Sequence, residues 1–340
     1  MNERTRHVLE LLGFPPVIPV ERRRSIAVLF PLKRRRTGVY LLVFSDGACY
    51  IGQAVNVVRR FSQHRRSYDD RIVGFSFQHC ARRDLDGLER TLIQEAELKG
   101  VPLAQTTWKT EVYGEADVDD VLTDADVESW CRDPAAFFGA SAWDPAPVDP
   151  GRHALDARRL SALQSEPLGH DVIRFLSRYV RECVPGARQT AHDFWNITAM
   201  PSTNAGTWPR LACLSAHVME ILVLGKLKHD FSSGWGFMVC SRSVVKSAYG
   251  SLPKASRALG ADYIELSEYA SAGSDQCRIG FSSLRAAHTI LDHAPIRMAS
   301  AQLIYRVMRK GVTRYANVHC TALADLLLRG DWMSGARPSH

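Results

Sequence analysis

Residues 38–54 read GVYLLVFSDGACYIGQA, two apolar segments that are joined by Ser-Asp-Gly at 45–47. An Asp-Gly pair between apolar segments is a strong signal for a β-hairpin. Side chains alternate between the two faces of a strand, so a two-residue loop would turn Tyr40 and Tyr50 to opposite faces. A three-residue loop or a bulge would instead place Tyr50 opposite Leu42, on the same face as Tyr40. The loop length therefore decides whether the two tyrosines can act together.

The segments that follow the hairpin alternate between helix and strand patterns. Residues 56–67 predict a helix that is capped by Asn56, and residues 86–99 predict a second helix that ends at Gly100. A short strand is predicted near residues 72–77. The pattern indicates an α+β fold in which a small, three-stranded antiparallel sheet is flanked by helices.

Five polar side chains in this region have residue types and spacings that suit phosphodiester hydrolysis. Arg60 and His64 are four residues apart and share one helix face, where Arg60 is able to clamp a phosphate with two hydrogen bonds. Glu89 lies beside an apolar helix stripe, so its carboxylate requires a partner. A hard divalent cation is one such partner, and a structural salt bridge with Arg59 or Arg60 is the other. The five residues are Tyr40, Tyr50, Arg60, His64 and Glu89.

The sequence frame around these residues resembles the catalytic module of the GIY-YIG endonuclease family over residues 38–105. Each motif alone is a weak signal, but their order and spacing together make the resemblance specific. The resemblance implies a metal-dependent nuclease that uses Mg²⁺ or Mn²⁺. The motifs are Gly38-Val39-Tyr40, where Val39 replaces the family's Ile, Tyr50-Ile51-Gly52, Arg60-x-x-x-His64 and Glu89-x-x-Leu92-Ile93.

The resemblance also implies a role for each residue. Tyr40 would deprotonate or orient the attacking water, and Tyr50 would support the phosphate or that water. His64 would accept a proton or steady Tyr40, and Glu89 would bind the metal ion. One departure concerns the Asn that the family often has downstream of the Glu, because this chain offers Gln105 there.

Further polar residues are candidates for contacts with nucleic acid. A basic run near residue 35 suits a phosphate backbone, although a solvated charge run is an equally good interpretation. Gln53 follows Tyr-Ile-Gly directly, as is typical of the family. The candidates are Arg34, Arg35, Arg36, Gln53, Arg59, Gln105, Lys226 and Lys228.

Charge is distributed unevenly along the chain, whose net charge is +7. Residues 1–110 hold 19 Lys and Arg against 11 Asp and Glu, residues 111–150 hold 1 against 11, and residues 151–340 hold 23 against 14. Two basic blocks around an acidic one indicate two polyanion-binding surfaces that are joined by a solvated connector. We expect a basic N-terminal arm (1–36), a nuclease domain (37–110), an acidic, Pro-rich linker (111–150) and a target-recognition domain (151–340).

The last of these regions has a mixed α/β pattern and no recognisable nucleic-acid-binding signature. Aromatic residues beside polar ones at 192–196 and 208–210 suit either base stacking or, more commonly, a protein core. Helices are predicted at 168–183, 284–309 and 321–329, and strands at 235–240 and 277–281.

Composition narrows the class of protein. Hydrophobic residues make up 46% of the chain, and no apolar stretch is long enough to span a membrane. The N-terminus lacks the pattern of a signal peptide. The eight cysteines are scattered without a CxxC pair, which favours reduced thiols over disulfides or a zinc ribbon. We expect a cytoplasmic protein with no membrane partner.

The leading hypothesis is a Mg²⁺-dependent DNA endonuclease whose C-terminal domain selects a sequence, a modification or a structure, as restriction or defence enzymes do. One alternative is a repair nuclease that acts on branched or damaged DNA. Another is a non-catalytic protein that binds nucleic acid. RNA is an alternative substrate, and cleavage of both strands with one site per chain would favour a homodimer.

Overall fold

The structure, a computed structural model, describes residues 3–31, 35–145, 150–203, 206, 208–227 and 234–330. The chain forms two compact units, Met1–Gly114 (unit 1) and Glu115–His340 (unit 2). Each unit combines helices with one antiparallel sheet, so the predicted α+β class in two parts is confirmed. Among the described residues, no helix has both the length and the apolar composition needed to cross a bilayer.

Unit 1 is built on a four-stranded antiparallel sheet. Its strands are β1 (Ile18–Pro19), β2 (Gly38–Phe44), β3 (Cys49–Ala54) and β4 (Ile72–His79), and its helices are α1 (Glu3–Leu11), α2 (Val57–Tyr68) and α3 (Leu85–Leu98). The strand order is β1-β4-β2-β3. The sequence predicted three of these strands, and β1 is the addition.

A three-residue loop at 45–47 joins β2 to β3. The backbone N–H of Phe44 donates to the carbonyl oxygen of Ala48 at 2.8 Å and closes the loop. Gly47 has φ +88°, a left-handed conformation that favours glycine. The side chain of Asp46 accepts from the N–H of Ala48 at 2.9 Å, as an Asx turn does. Asp46 therefore stabilises the turn through its side chain, and Gly47 through its backbone conformation.

This odd-length loop sets the register of the hairpin. Leu42 lies opposite Tyr50 and Tyr40 opposite Gly52, which is the register that the sequence required for two tyrosines on one face. Tyr40 packs with Phe61 of α2 in one apolar cluster. The opposite face of the sheet is covered by α1 and α3. The hairpin therefore presents both tyrosines beneath α2.

The N-terminal segment 1–36 is not the arm that the sequence predicted. Leu9 of α1 is buried in the core together with α3. Pro19 of β1 pairs with Gly74 of β4 at the sheet edge, where a residue without a backbone N–H is tolerated. The side chain of Arg65, which is 8% exposed, donates to the carbonyl oxygen of Val20 at 2.7 Å. The described part of this segment is integral to unit 1.

The other edge of the sheet, β3, is also covered. The N–H of Cys49 donates to the carbonyl oxygen of Pro102 at 2.7 Å, and the N–H of Ala104 donates to the carbonyl oxygen of Cys49 at 2.8 Å. Leu103 lies between them in a parallel bridge to Cys49 and is fully buried. The chain after α3 thus completes unit 1 by pairing with the outer strand.

Unit 2 surrounds a six-stranded antiparallel sheet. The strands are β5 (Trp195–Ala199), β6 (Arg210–Ala216), β7 (Met219–Lys226), β8 (Gly234–Cys240), β9 (Tyr263–Leu266) and β10 (Cys277–Phe281), in the order β5-β6-β7-β8-β10-β9. The helices are α4 (Asp124–Arg132), α5 (Pro134–Ala140), α6 (Pro150–Gln164), α7 (Gly169–Cys183), α8 (Arg242–Tyr249), α9 (Leu252–Leu259), α10 (Leu284–Asp292), α11 (Ala294–Met308) and α12 (Thr321–Arg329).

The two faces of this sheet differ in chemistry near β5. Trp195 and Ile197 are fully buried in the apolar core that α7, α11 and α12 complete. Strand alternation places Asn196 and Thr198 on the opposite face. There, Asn196 lies opposite Ser215 of β6. Near β5, one face of the sheet is therefore packed by helices, and the other carries polar side chains.

The acidic segment is not the solvated linker that the sequence predicted over 111–150. Residues 117–140 form a 3-10 helix followed by α4 and α5. Val118 and Phe138 belong to the core of unit 2, and the carboxylate of Asp119 pairs at 2.9 Å with Arg309, the C-cap residue of α11. The high net charge suggested a linker, but the apolar side chains of this segment are spaced to face the core, while most of its acidic side chains are exposed.

Candidate active site

Tyr40 is at the centre of a polar cluster on the sheet face beneath α2. Its hydroxyl lies 2.6 Å from Nε2 of His64, and Nε of Arg60 donates to the same hydroxyl at 3.3 Å. Tyr40 and His64 are 1% and 6% exposed, whereas Arg60 is exposed. The helical spacing of Arg60 and His64 brings both to one tyrosine, as their shared helix face predicted. The cluster thus joins a buried pair to a cation at the surface.

Tyr50 extends this cluster along β3. Its ring lies nearly parallel to that of Tyr40, with centroids 6.2 Å apart, and its centroid lies 4.8 Å from that of His64. A Cβ atom on Gly52 would be 2.6 Å from the hydroxyl oxygen of Tyr40 and 2.7 Å from Cε1 of Tyr50. Glycine is therefore required at position 52, because the two rings occupy the space of any side chain.

Glu89 is held by a neighbour on β3. Nε2 of Gln53 donates to Oε2 of Glu89 at 3.0 Å and to Oδ1 of Asp86 at 2.5 Å. Among the described residues, Glu89 forms no ion pair with Arg59 or Arg60, so the structural salt bridge considered above is not observed. Glu89 is instead a half-buried carboxylate with an amide partner.

Asp86 is the member of this arrangement that the sequence reasoning missed. It is exposed and precedes Glu89 by three residues on α3, so both carboxylates face Gln53. The spacing of three residues between Asp86 and Glu89 places both on one helix face, and this is the sequence signal that could have identified Asp86. Its charge contributes to raising the pKa of Glu89.

Burial controls the protonation states of the cluster. Desolvation, aided by the charge of Arg60, lowers the pKa of His64 to about 4, so its imidazole is neutral near pH 7. Desolvation raises the pKa of Tyr40 and of Tyr50, and the charge of Glu89 adds to both shifts. The cluster therefore rests with protonated tyrosines beside a neutral histidine.

Desolvation also raises the pKa of Glu89, although hydrogen bonds from Gln53 oppose the shift. Such a carboxylate gains from a nearby cation. Within the described residues, no three His, Cys, Asp or Glu side chains converge as a ligand set. Magnesium does not need one, because it is bound through one or two carboxylates together with waters and substrate phosphates. Glu89, with Asp86 beside it, fits this mode of binding.

The other predicted contact residues in unit 1 have varied surroundings. Arg35 lies 3.2 Å from Nε2 of His79, and Arg36 donates to the carbonyl oxygen of Phe30 at 3.0 Å. Arg59 is exposed on α2, one residue before Arg60. Arg34 lies outside the described residues. Among these arginines, Arg59 is the one placed beside the cluster.

Gln105 supports β3 rather than the tyrosine face. Its Oε1 accepts from the backbone N–H of Ile51 at 3.3 Å, and its side chain is 8% exposed. Lys226 pairs with Glu166 at 2.6 Å in unit 2, and its contact with phosphate stays a prediction. Lys228 lies outside the described residues.

Comparisons with models of protein families, with curated proteins and with solved structures found no match for this chain. The resemblance to GIY-YIG endonucleases consequently depends on the motif residues and on the geometry that the fold gives them.

Proposed function

We propose that unit 1 is a Mg²⁺-dependent endonuclease of the GIY-YIG type that hydrolyses phosphodiester bonds of DNA. The observation that carries the proposal is the contact of one buried tyrosine hydroxyl, that of Tyr40, with both the neutral His64 and the exposed Arg60. A proton acceptor and a phosphate-binding cation are thereby held within reach of the same oxygen. Packing alone gives no reason for this combination.

Tyr40 and His64 form the path of the proton. A raised pKa prevents Tyr40 from acting as a free phenolate at neutral pH. We therefore assign it a relay. Its oxygen takes a proton from the attacking water while its own proton passes to Nε2 of His64 at 2.6 Å. The resulting hydroxide forms the new bond to phosphorus, and the bond to the leaving oxygen breaks.

Arg60 binds the scissile phosphate. Its guanidinium is exposed. Its Nε donates to Tyr40 and its Nη1 donates to Oε1 of Gln63 at 3.2 Å, so its other N–H groups can hold the non-bridging oxygens near the water that Tyr40 orients. Tyr50 borders the same face and donates to the phosphate or to the water. These contacts position the nucleophile and the phosphate together.

Glu89 would hold the metal ion, with Gln53 fixing the carboxylate and Asp86 adding negative charge. A bound Mg²⁺ supplies positive charge that stabilises the pentavalent transition state and the leaving oxygen. The excess of 19 basic over 11 acidic residues in 1–110 favours a polyanionic substrate. Unit 2 would select the target, an arrangement that suits restriction or defence.

The test is cleavage of supercoiled plasmid DNA by the full chain with Mg²⁺ and with EDTA. Glu89→Ala and Tyr40→Phe should each abolish metal-dependent nicking, while Asp120→Asn, an exposed change in unit 2, should retain it. Circular dichroism would show that each variant is folded. Cleavage that survives both substitutions would refute the assigned site. Binding of DNA without cleavage, on modified, branched and single-stranded DNA as well, would favour a non-catalytic protein.

A further inference from the structure

A cavity of about 570 Å³ lies on the polar face of the sheet in unit 2. Its floor is formed by side chains of neighbouring strands, since Ser215 of β6 lies opposite both Asn196 of β5 and Glu220 of β7. The volume falls within the range of about 300–1,000 Å³ that is usual for small-molecule sites. The lining combines these polar side chains with apolar ones such as Met200 and Val218.

Two polar groups of the lining are buried without a partner in the described part of the chain. Asn196 is 1% exposed, and its Oδ1 accepts from the hydroxyl of Thr313 at 2.9 Å, which leaves its Nδ2 without an acceptor. Nε of Arg210 is likewise buried and unbonded. Leaving a buried donor unsatisfied is costly. Both donors belong to residues of one lining, which favours a ligand that accepts hydrogen bonds.

The charges of the lining nearly cancel. Arg210 and Glu220 form an ion pair, and the hydroxyl of Tyr269 donates to the same carboxylate at 3.3 Å. Arg159 adds one positive charge, which it shares with Asp156 at 3.6 Å. The cavity therefore suits a neutral group that carries both donors and acceptors, with one anionic substituent near Arg159.

Aromatic rings complete the lining. Tyr269 is held at both ends of its backbone by Gln276, which accepts from its N–H at 3.1 Å and donates to its carbonyl oxygen at 2.8 Å. Gln276 is 1% exposed, so this clamp is rigid. Tyr315 borders the cavity as well, and its hydroxyl donates to the carbonyl oxygen of Val218 at 3.3 Å. Two anchored rings offer surfaces for a flat ligand.

We infer that this cavity binds a single unstacked nucleobase with its phosphate. Enzymes that read an extrahelical base use hydrogen bonds to its edge together with aromatic contacts, and this lining supplies both. The base comes either from a free nucleotide or from a nucleotide turned out of DNA. Only the second source rests on the proposed function of unit 1, because the chemistry of the cavity is independent of cleavage.

The experiment measures binding by the full chain in EDTA, where cleavage by unit 1 plays no part. Calorimetry would follow the four deoxynucleoside monophosphates, and fluorescence anisotropy would compare a duplex that carries one extrahelical base with its fully paired counterpart. Asn196→Asp removes the unpartnered donor but keeps the acceptor for Thr313. Ser215→Met fills the floor. The matched controls are Asn317→Asp and Thr289→Met, both at exposed positions whose side chains are not in the lining.

We expect the wild type to bind the duplex with one extrahelical base more tightly than the fully paired duplex. Both cavity variants should bind the duplex with the extrahelical base about tenfold or more weakly than the wild type does. The controls should bind as the wild type does, and thermal melting would show that all variants are folded. Binding of monophosphates alone, lost in the same variants, would support the site and assign it to a free nucleotide. The inference would be overturned if folded cavity variants bound as tightly as the wild type. It would also be overturned if the wild type neither bound monophosphates nor preferred the duplex with the extrahelical base. A failure of the full chain to cleave plasmid DNA would not change the interpretation of either binding measurement.

Discussion

The polar groups of the two units are satisfied in different ways. In unit 1, the buried hydroxyl of Tyr40 has partners within the protein, His64 and Arg60. In the cavity of unit 2, Nδ2 of Asn196 and Nε of Arg210 have none among the described residues. If the proposals for the two units hold, the first arrangement would keep reactive groups in place before a substrate arrives, and the second would be completed by a ligand. This is the difference expected between a catalytic centre and a recognition pocket.

The largest expected effect tests the preset geometry of unit 1. Arg60→Lys removes the planar fork and the N–H that reaches Tyr40, so we expect the initial rate of plasmid cleavage to fall by about 100- to 1,000-fold. Arg66→Lys, at an exposed position further along α2, is the matched control and should stay near the wild-type rate. Equal rates in the two lysine variants would show that a general positive charge is sufficient.

A second substitution tests how closely the tyrosines are packed. Gly52→Ala places a Cβ atom 2.6 Å from the hydroxyl oxygen of Tyr40, so we expect a loss of about 1–3 kcal/mol in the free energy of unfolding. Gly87→Ala is the control, because it has open space on α3 and should gain about 0.5–1 kcal/mol. Urea denaturation measures both. If Gly52→Ala proved as stable as the wild type, the site would be looser than the structure indicates.

The acidic segment offers a test in unit 2. Asp119→Asn weakens the partly buried ion pair with Arg309 and should lower the free energy of unfolding by about 1–2 kcal/mol. The exposed Asp120→Asn should change it by less than about 0.5 kcal/mol. Burial raises the pKa of Asp119, but hydrogen bonds from Arg309 outweigh it and hold the pKa low. The difference between wild type and Asp119→Asn should therefore shrink as the pH falls through the carboxyl range. If urea titrations gave the same free energy of unfolding for both variants, residues 111–150 would again be interpreted as a linker.

The smallest effect concerns the charge state of His64. NMR titration of its imidazole should give a pKa of about 4, and Arg60→Gln should raise this value only in part, because desolvation is the larger cause. A lowered histidine pKa means that the unfolded chain binds the proton first, so His64 should reduce stability as the pH falls from about 6.5 towards 4. A titration near pH 6.5 would remove the neutral acceptor from the proposed mechanism.

Elements fixed by local signals were predictable from the sequence. The Asp46-Gly47 turn fixed the hairpin, and β10 and α12 have the predicted bounds, 277–281 and 321–329. The predicted helix 284–309 is two helices, α10 and α11, divided at His293. Pro295 explains the division, because it lacks an N–H and is favoured in the first turn of a helix.

Features that depend on distant pairings were not predictable in this way. Nothing local to Pro19 shows that it will pair with Gly74, so the N-terminal segment resembled an arm. In the candidate site, the spacing of Arg60 and His64 was informative because one helix carries both. By contrast, Asn196 and Arg210 line the same cavity from different strands, a relation that no local pattern of the sequence shows.

The β-bridge between Cys49 and Leu103 determines how short a fragment of unit 1 can be while the edge of β3 stays covered. A fusion partner joined directly after α3, at Leu98, would omit the chain that covers β3 and would expose a row of unpaired backbone groups. Open edges of this kind invite strand addition between molecules and aggregation. A transplanted copy of unit 1 should therefore retain the sequence through Gly114, where the compact unit ends.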